Sequence, residues 1–224
     1  MKKFGTCVAI SVAASLIFLV LRFFTAADWL VSIELISILL LAGLGFRLNT
    51  LLGIALMLSL IGDFFLGVHR LGSLNGEILF VFGLGSFLLA HFFYIAMFRK
   101  YWPSTWWRPG PVRIVGVVVI LILPGSMLGM LWHSLGALLI PVVFYSLALS
   151  CMGISAMLAD LGTAMAAFGA LSFIVSDAMI AVNKFHGHLP GSNSLIWITY
   201  YSAQLLILLG VAFRHRRLES HNTH

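Results

Sequence analysis

Charged residues are scarce in this sequence. Lys, Arg, Asp and Glu make up only 9% of its 224 residues, whereas 61% are hydrophobic and the mean hydropathy is +1.08. A water-soluble domain cannot cover its surface with so few charges. The composition therefore excludes a soluble globular protein. The longest loop, the 15 residues of "RKYWPSTWWRPGPVR", leaves no room for a separate soluble domain.

Several catalytic and binding motifs are also missing. The sequence has no Gly-x-Ser-x-Gly elbow, Walker loop, His-Glu-x-x-His or dinucleotide fingerprint, so serine nucleophile chemistry and nucleotide binding have no support. Cys7 and Cys151 both lie inside apolar runs, and His91 is the one histidine within a predicted span; we therefore expect neither a disulfide nor a metal site. The net charge of +6 does not indicate nucleic acid, because the basic residues lie at the ends of apolar runs.

What the sequence does contain is a series of long apolar runs separated by polar breaks. Runs of about 18 or more residues are typical of membrane-spanning helices. We predict an all-α, polytopic membrane helical bundle that forms a single integral membrane domain over residues 1–224. A count of seven or nine spans stays open, but eight are favoured, at about 4–21, 29–46, 48–68, 78–98, 112–132, 135–158, 161–182 and 194–213.

The first run begins "MKKFGTC", a basic start that signal peptides share. Its apolar stretch is long for a signal peptide, and Arg22 follows before any small-residue cleavage site, so we predict a retained span. With eight spans, the side that holds both termini carries ten Lys and Arg residues (Lys2, Lys3, Arg47, Arg99, Lys100, Arg108, Arg113, Arg214, Arg216, Arg217), and the other side carries three (Arg22, Arg70, Lys184). This bias predicts cytoplasmic termini and a multi-pass protein of the bacterial inner membrane.

Two aspartates interrupt the apolar runs. Asp63 lies in "LIGDFFLGVHRL" and Asp177 in "FIVSDAMIAVNKF", each about fifteen residues into a span that runs outward. A carboxylate at this depth costs several kcal/mol and indicates a functional site. Each aspartate alone could simply bond a neighbouring helix or pair with His91. Two at matched depth favour a shared cavity, in which repulsion would leave one protonated and supply both a general acid and a general base.

The sequences around the two aspartates resemble each other. Asp63 to Leu71 aligns with Asp177 to Phe185, and four spans separate them, as expected for two parallel four-helix repeats. Arg70 and Lys184 each follow their aspartate by seven residues. At that spacing each cation would lie about 10 Å outward of its carboxylate. There it could hold a lipid phosphate or simply mark the end of the span.

Other polar residues fall within the apolar runs. His91 could orient a carboxylate, donate to a substrate or be a satisfied core histidine. Tyr200, Tyr201 and Gln204 give the eighth span a polar face that could line a cavity or bridge helices.

Four segments together resemble the YhhN-like lysoplasmalogenase family of small multipass membrane proteins. They are "GDFFL", "FGLGSFLLAHFFY", "GALSFIVSDAMIAVNKF" and "TYYSAQLLILLG", in the family's order from the third span to the eighth. The resemblance implies hydrolysis of the vinyl ether bond of lysoplasmalogens, with a membrane lysophospholipid as substrate and no cofactor. It implies catalysis by Asp63 and Asp177, and substrate or site roles for the other motif positions, namely Gly62, His91, Tyr94, Ser176, Tyr200 and Gln204. Family members often carry Lys-Pro in the second span, where this chain reads "VSIELIS" around Glu34.

Two other functions stay open from the sequence. Paired membrane carboxylates and parallel repeats also occur in proton-coupled transporters and lipid translocators. The spans here lack the paired, Gly- or Pro-interrupted helices that mark many transporter sites. A packing protein without a ligand would need both aspartates to serve only as helix contacts.

Overall fold

The computed structural model describes residues 2–25, 29–70, 76–106, 110–187 and 189–221. Within these ranges the side chains of Lys2, Phe23, His69, Arg70 and His221 are not described. The described part of the chain forms eight α-helices: α1 (Lys2–Phe24), α2 (Leu30–Leu48), α3 (Thr50–Arg70), α4 (Gly76–Arg99), α5 (Pro111–Leu131), α6 (Leu139–Leu158), α7 (Met165–Phe185) and α8 (Ser192–His221). A short 3₁₀ turn over Gly136–Leu138 precedes α6.

All eight helices are long and apolar enough to cross a membrane. The prediction of an all-helical protein with eight spans is therefore confirmed. Many large apolar side chains of α1 and α5 are exposed, including Ile17, Val20, Val115 and Ile122. Such surfaces suit contact with lipid, where a helix satisfies its own backbone hydrogen bonds.

Two helix boundaries differ from the predicted spans. Helix α7 begins at Met165 and not near residue 161, because Gly162 has a positive φ of 71°, which a right-handed α-helix does not contain. Helix α8 continues to His221, beyond the apolar part of its sequence. Its polar end carries a His215–Glu219 pair at 3.4 Å, one helical turn apart.

The chain folds as two compact units, Met1–Tyr94 and Ile95–His224. In the first unit, α1 packs on α2 and α2 on α3. Asn49 alone separates α2 from α3, and its Oδ1 accepts a hydrogen bond from the Leu51 N–H at 2.9 Å. This Asn caps α3, a role for which its short polar side chain is favoured.

Helices α3 and α4 pack as an antiparallel pair in the first unit. Ser86 Oγ donates to the Leu58 carbonyl at 2.6 Å. The rings of Phe65 and Phe82 stack with centroids 5.5 Å apart. A Cβ on Gly62 would lie 2.6 Å from the Phe87 ring, so the glycine lets this ring reach the backbone of α3. Small residues of this kind allow close approach of membrane helices.

In the second unit, α7 and α8 pack most closely. A Cβ on Gly169 would lie 2.8 Å from the Ala203 carbonyl oxygen, and one on Gly210 would lie 3.1 Å from Ala166. Ser172 Oγ also donates to the Thr199 carbonyl at 2.7 Å. Helices α5 and α6 contact each other and both contact α7. Helix α7 is therefore the centre of this unit and carries Asp177 into it.

The connections at one end of the second unit are joined by hydrogen bonds. The Asp160 N–H donates to the Tyr101 carbonyl at 2.8 Å, and Trp102 Nε1 donates to the Ser155 carbonyl at 3.1 Å. The α4–α5 and α6–α7 connections therefore lie on the same side, as eight spans require. The side of the membrane, the repeat and the single membrane domain stay predictions.

Candidate functional site

In the first unit, Asp63 lies in the interior of α3. Its side chain is 6% exposed, and 13 residues separate it from the first residue of the helix, Thr50. At 1.5 Å per residue it stands about 20 Å from that end of α3. The preceding residue, Gly62, contacts Phe87 of α4. A role for Gly62 in the site stays a prediction. Because Gly62 has no side chain, α4 can pack closely against the turn of α3 that carries Asp63.

Helix α4 contributes His91 and Tyr94, and both are fully buried. They share a helix face with Phe87, which lies one turn before His91. The antiparallel register of α3 and α4 places His91 about 10 Å nearer the start of α3 than Asp63 is. Glu77 is exposed in the first turn of α4, whereas Glu34 of α2 is buried.

In the second unit, Asp177 lies in α7 at nearly the same position that Asp63 has in α3. Twelve residues separate it from Met165, the first residue of α7, which places it about 18 Å from that end. Both helices are 21 residues long. The positions of the two aspartates along their own helices therefore differ by one residue, a rise of about 1.5 Å.

Asp177 accepts a hydrogen bond from a neighbouring helix. The hydroxyl of Tyr145 on α6 donates to Asp177 Oδ2 at 2.5 Å. Tyr145 is buried, and Asp177 is half-buried. Hydrogen bonds to an ionised carboxylate are short and about twice as strong as neutral ones. The contact ties the carboxylate of α7 to α6.

Ser176, the residue before Asp177, contacts a different helix. Its Oγ donates to the Ile196 carbonyl of α8 at 3.1 Å, and the side chain is fully buried. Because successive residues of an α-helix point about 100° apart, Ser176 faces α8 while Asp177 faces α6. The predicted role of Ser176 in substrate binding is untested, and its contact with α8 has a packing function.

The polar residues of α8 lie in the interior of the second unit. Tyr200, Tyr201 and Gln204 are at most 6% exposed. The Tyr200 ring meets Phe173 edge-on with centroids 5.5 Å apart, and the Tyr201 ring stacks on Trp197 at 5.7 Å. The contact of Tyr200 with Phe173 bridges α7 and α8, which is one of the two roles considered from the sequence. The contact of Tyr201 with Trp197 lies within α8.

The two predicted cations, Lys184 and Arg70, lie near the ends of α7 and α3. Lys184 lies two turns after Asp177 in α7, and its side chain is half-buried. Arg70 is the last residue of α3, but its side chain lies outside the described part of the structure. The described residues contain no group of three His, Cys, Asp or Glu side chains that could hold a metal ion.

Tyr145 is not among the site residues predicted from the sequence. The available signal was its position, because tyrosine favours the membrane–water interface and this one lies well inside an apolar run. A buried tyrosine hydroxyl usually has a hydrogen-bond partner. The sequence around Tyr145 does not reveal that this partner is Asp177, since 32 residues separate them.

Comparisons with known proteins identify the family. The model of the YhhN family matches residues 23–211. Proteins named Lysoplasmalogenase from Mycobacterium bovis and Mycobacterium tuberculosis are each 37% identical over 164 residues, which cover 71% of this chain and 59% of the relative. The chain thus matches less than two thirds of the length of these mycobacterial proteins.

A mammalian relative is matched over more of its length. Lysoplasmalogenase TMEM86A from Bos taurus is 35% identical over 196 residues, which cover 82% of this chain and 75% of that protein. No solved structure matches the chain significantly. The family match and the mammalian relative cover most of the eight-helix structure. The chain is therefore a multi-pass membrane protein that belongs to the YhhN family.

Proposed function

We propose that this protein is a lysoplasmalogenase, a membrane hydrolase that cleaves the vinyl ether bond of lysoplasmalogens. The products are a fatty aldehyde and a glycerophospho-ethanolamine or -choline. The family and the names of its relatives support the reaction. The observation that carries the catalytic assignment is the pair of aspartates, Asp63 and Asp177. Each lies well inside a 21-residue apolar helix, where a carboxylate without a function is costly.

The chemistry needs groups that exchange protons with the substrate and with water. A proton adds to the second carbon of the alkenyl chain and gives an oxocarbenium ion at the first. Water adds to the first carbon and loses a proton, and the resulting hemiacetal collapses to the aldehyde and the free glycerol hydroxyl. We assign proton delivery to one aspartate in its protonated form. The other, ionised, stabilises the cation and accepts the proton from water.

The remaining predicted residues fit binding roles. Lys184 and Arg70 are the proposed partners of the lipid phosphate, because each lies two helical turns beyond an aspartate, near the end of its helix. His91, Tyr94, Tyr200, Tyr201 and Gln204 are proposed to contact the polar part of the lysophospholipid, and the alkyl chain lies along apolar helix faces. We place the protein in a bacterial cytoplasmic membrane, with both termini on the cytoplasmic side, because of its ten-to-three distribution of Lys and Arg.

An assay of product separates this function from transport. Purified full-length protein in detergent is incubated with 1-alkenyl lysophosphatidylethanolamine and with the choline lipid, and fatty aldehyde is measured by mass spectrometry. The matched 1-acyl lysophospholipids serve as control substrates, since they lack the vinyl ether. We expect aldehyde from the alkenyl lipids alone. Chemically unchanged lipid with folded protein would contradict hydrolysis and favour a translocator.

A further inference from the structure

The side chain of Tyr145 bonds Asp177 directly. Its hydroxyl donates to Oδ2 at 2.5 Å across the α6–α7 contact, and its ring is 7% exposed. Asp177 itself is half-buried. A tyrosine has two side-chain torsions, and burial of its ring leaves its hydroxyl in a defined position.

The helices that carry the two residues are fixed relative to each other. A Cβ on Gly153 of α6 would lie 2.9 Å from Ile174 of α7, so this glycine allows close packing of the two helices. On its other face, α7 is bonded to α8 through Ser172 and Ser176. The backbone at Asp177 is therefore held between two neighbours. The bond from Tyr145 then sets the direction of the carboxylate itself.

We propose that Tyr145 is the positioning residue for Asp177, an inference that rests on the proposed function. Near neutral pH a phenol keeps its proton and donates it in a hydrogen bond. Oδ2 can accept this bond when the carboxyl group is ionised and also when it carries a proton on Oδ1. Tyr145 thus fixes the orientation of the carboxyl group in both protonation states, and it holds the group still while a proton moves.

Replacement of Tyr145 by Phe tests the role, because it removes the hydroxyl and keeps the ring. Misplacement of a reacting group by about 1 Å can cost about 100-fold in rate. We expect kcat for aldehyde release to fall about 10- to 100-fold, with KM changed less than about threefold. The pH–rate profile of Tyr145→Phe should also be displaced from that of the parent, a change that a purely structural role would not produce.

Tyr101→Phe is the matched control, because Tyr101 lies in the α4–α5 connection at the end of the second unit. Its kcat and pH–rate profile should equal those of the parent. If Tyr145→Phe lowers the midpoint of thermal unfolding, 3-fluorotyrosine at position 145 replaces it. The fluorine preserves the shape and changes the acidity of the phenol, so the pH–rate profile should still move. Parent-like kcat and a superimposed profile overturn the proposal.

Infrared difference spectroscopy tests the contact without requiring turnover. The band of Asp177 is assigned from its loss in Asp177→Asn, and we expect it to shift in Tyr145→Phe but not in Tyr101→Phe. An unchanged band overturns the positioning role. If the band shifts in Tyr145→Phe but the parent protein releases no aldehyde, the proposed hydrolysis is rejected while the Tyr145–Asp177 bond stands, so the two failures are distinguishable.

Discussion

Tyr145 of α6 donates a hydrogen bond to Asp177 of α7 at 2.5 Å. The residue before this aspartate, Ser176, donates to the Ile196 carbonyl of α8. Two adjacent residues thus point about 100° apart on α7, Ser176 toward α8 for helix packing and Asp177 toward α6. The arrangement explains how a membrane helix can hold a polar group at a defined place in an apolar bundle.

Loss of either carboxylate should abolish turnover. Asp63→Asn and Asp177→Asn keep size and polarity but cannot exchange the proton, so we expect kcat to fall at least about 100-fold. The unfolding midpoint should stay within a few degrees of the parent value. Asp160→Asn is the matched control, because Asp160 is an exposed loop residue that accepts a bond from the Gly162 N–H. Near-parental kcat in either membrane-aspartate variant would reject its catalytic assignment.

The contact between α7 and α8 should be sensitive to one added methyl group. A Cβ at Gly169 would lie 2.8 Å from the Ala203 carbonyl oxygen and 3.1 Å from the Ile207 nitrogen, which are backbone atoms that cannot rotate away. We expect Gly169→Ala to lower the free energy of unfolding by about 1–3 kcal/mol, as overpacking commonly does.

Gly125→Ala is the control for this change, because, beyond its chain neighbours and the nearby backbone of its own helix, no atom of the described residues lies within 4 Å of a Cβ at that position in α5. Its effect should be neutral or stabilising by about 0.5–1 kcal/mol, since alanine favours a helix over glycine. Thermal or denaturant unfolding in detergent measures both variants. Equal stability of Gly169→Ala and Gly125→Ala would show that α7 and α8 are not packed as closely as described.

The charge distribution predicts which connections share a side of the membrane. In a background with Cys7 and Cys151 replaced by Ala, we expect Ser104→Cys and Ser220→Cys to react with a membrane-impermeant maleimide from the cytoplasmic side. Asn193→Cys, at the start of α8, should react from the other side. Labelling of Ser104→Cys and Asn193→Cys from one side would contradict the eight-span topology.

The sequence predicted the helices well because membrane spans leave a strong signal. Eight apolar runs gave eight helices, and Asn49 marked the short α2–α3 connection in the break "RLN". The boundaries of α7 and α8 were less accurate. A positive φ at Gly162 moves the start of α7 to a later residue than predicted. Helix α8 continues through a charged segment that a search for apolar runs does not detect.

The candidate site was less predictable from the sequence. Asp63 and Asp177 were found because a carboxylate is rare in an apolar run. Tyr145 was missed because its importance comes from a contact between residues 32 positions apart. Ser176 was selected for its motif position, whereas its described contact is with the backbone of α8. Which neighbour each residue faces depends on helix packing, which composition and spacing alone do not determine.

Hydrolysis in deuterium oxide tests the central claim most directly. Proton transfer to carbon would place one deuterium on the second carbon of the aldehyde, and an authentic aldehyde kept in the same solvent corrects for exchange. We expect the parent protein to release singly deuterated aldehyde, and Asp63→Asn and Asp177→Asn to release none. Aldehyde without deuterium at that carbon, or labelled aldehyde formed at the parent rate by both variants, would contradict aspartate-driven cleavage of the vinyl ether.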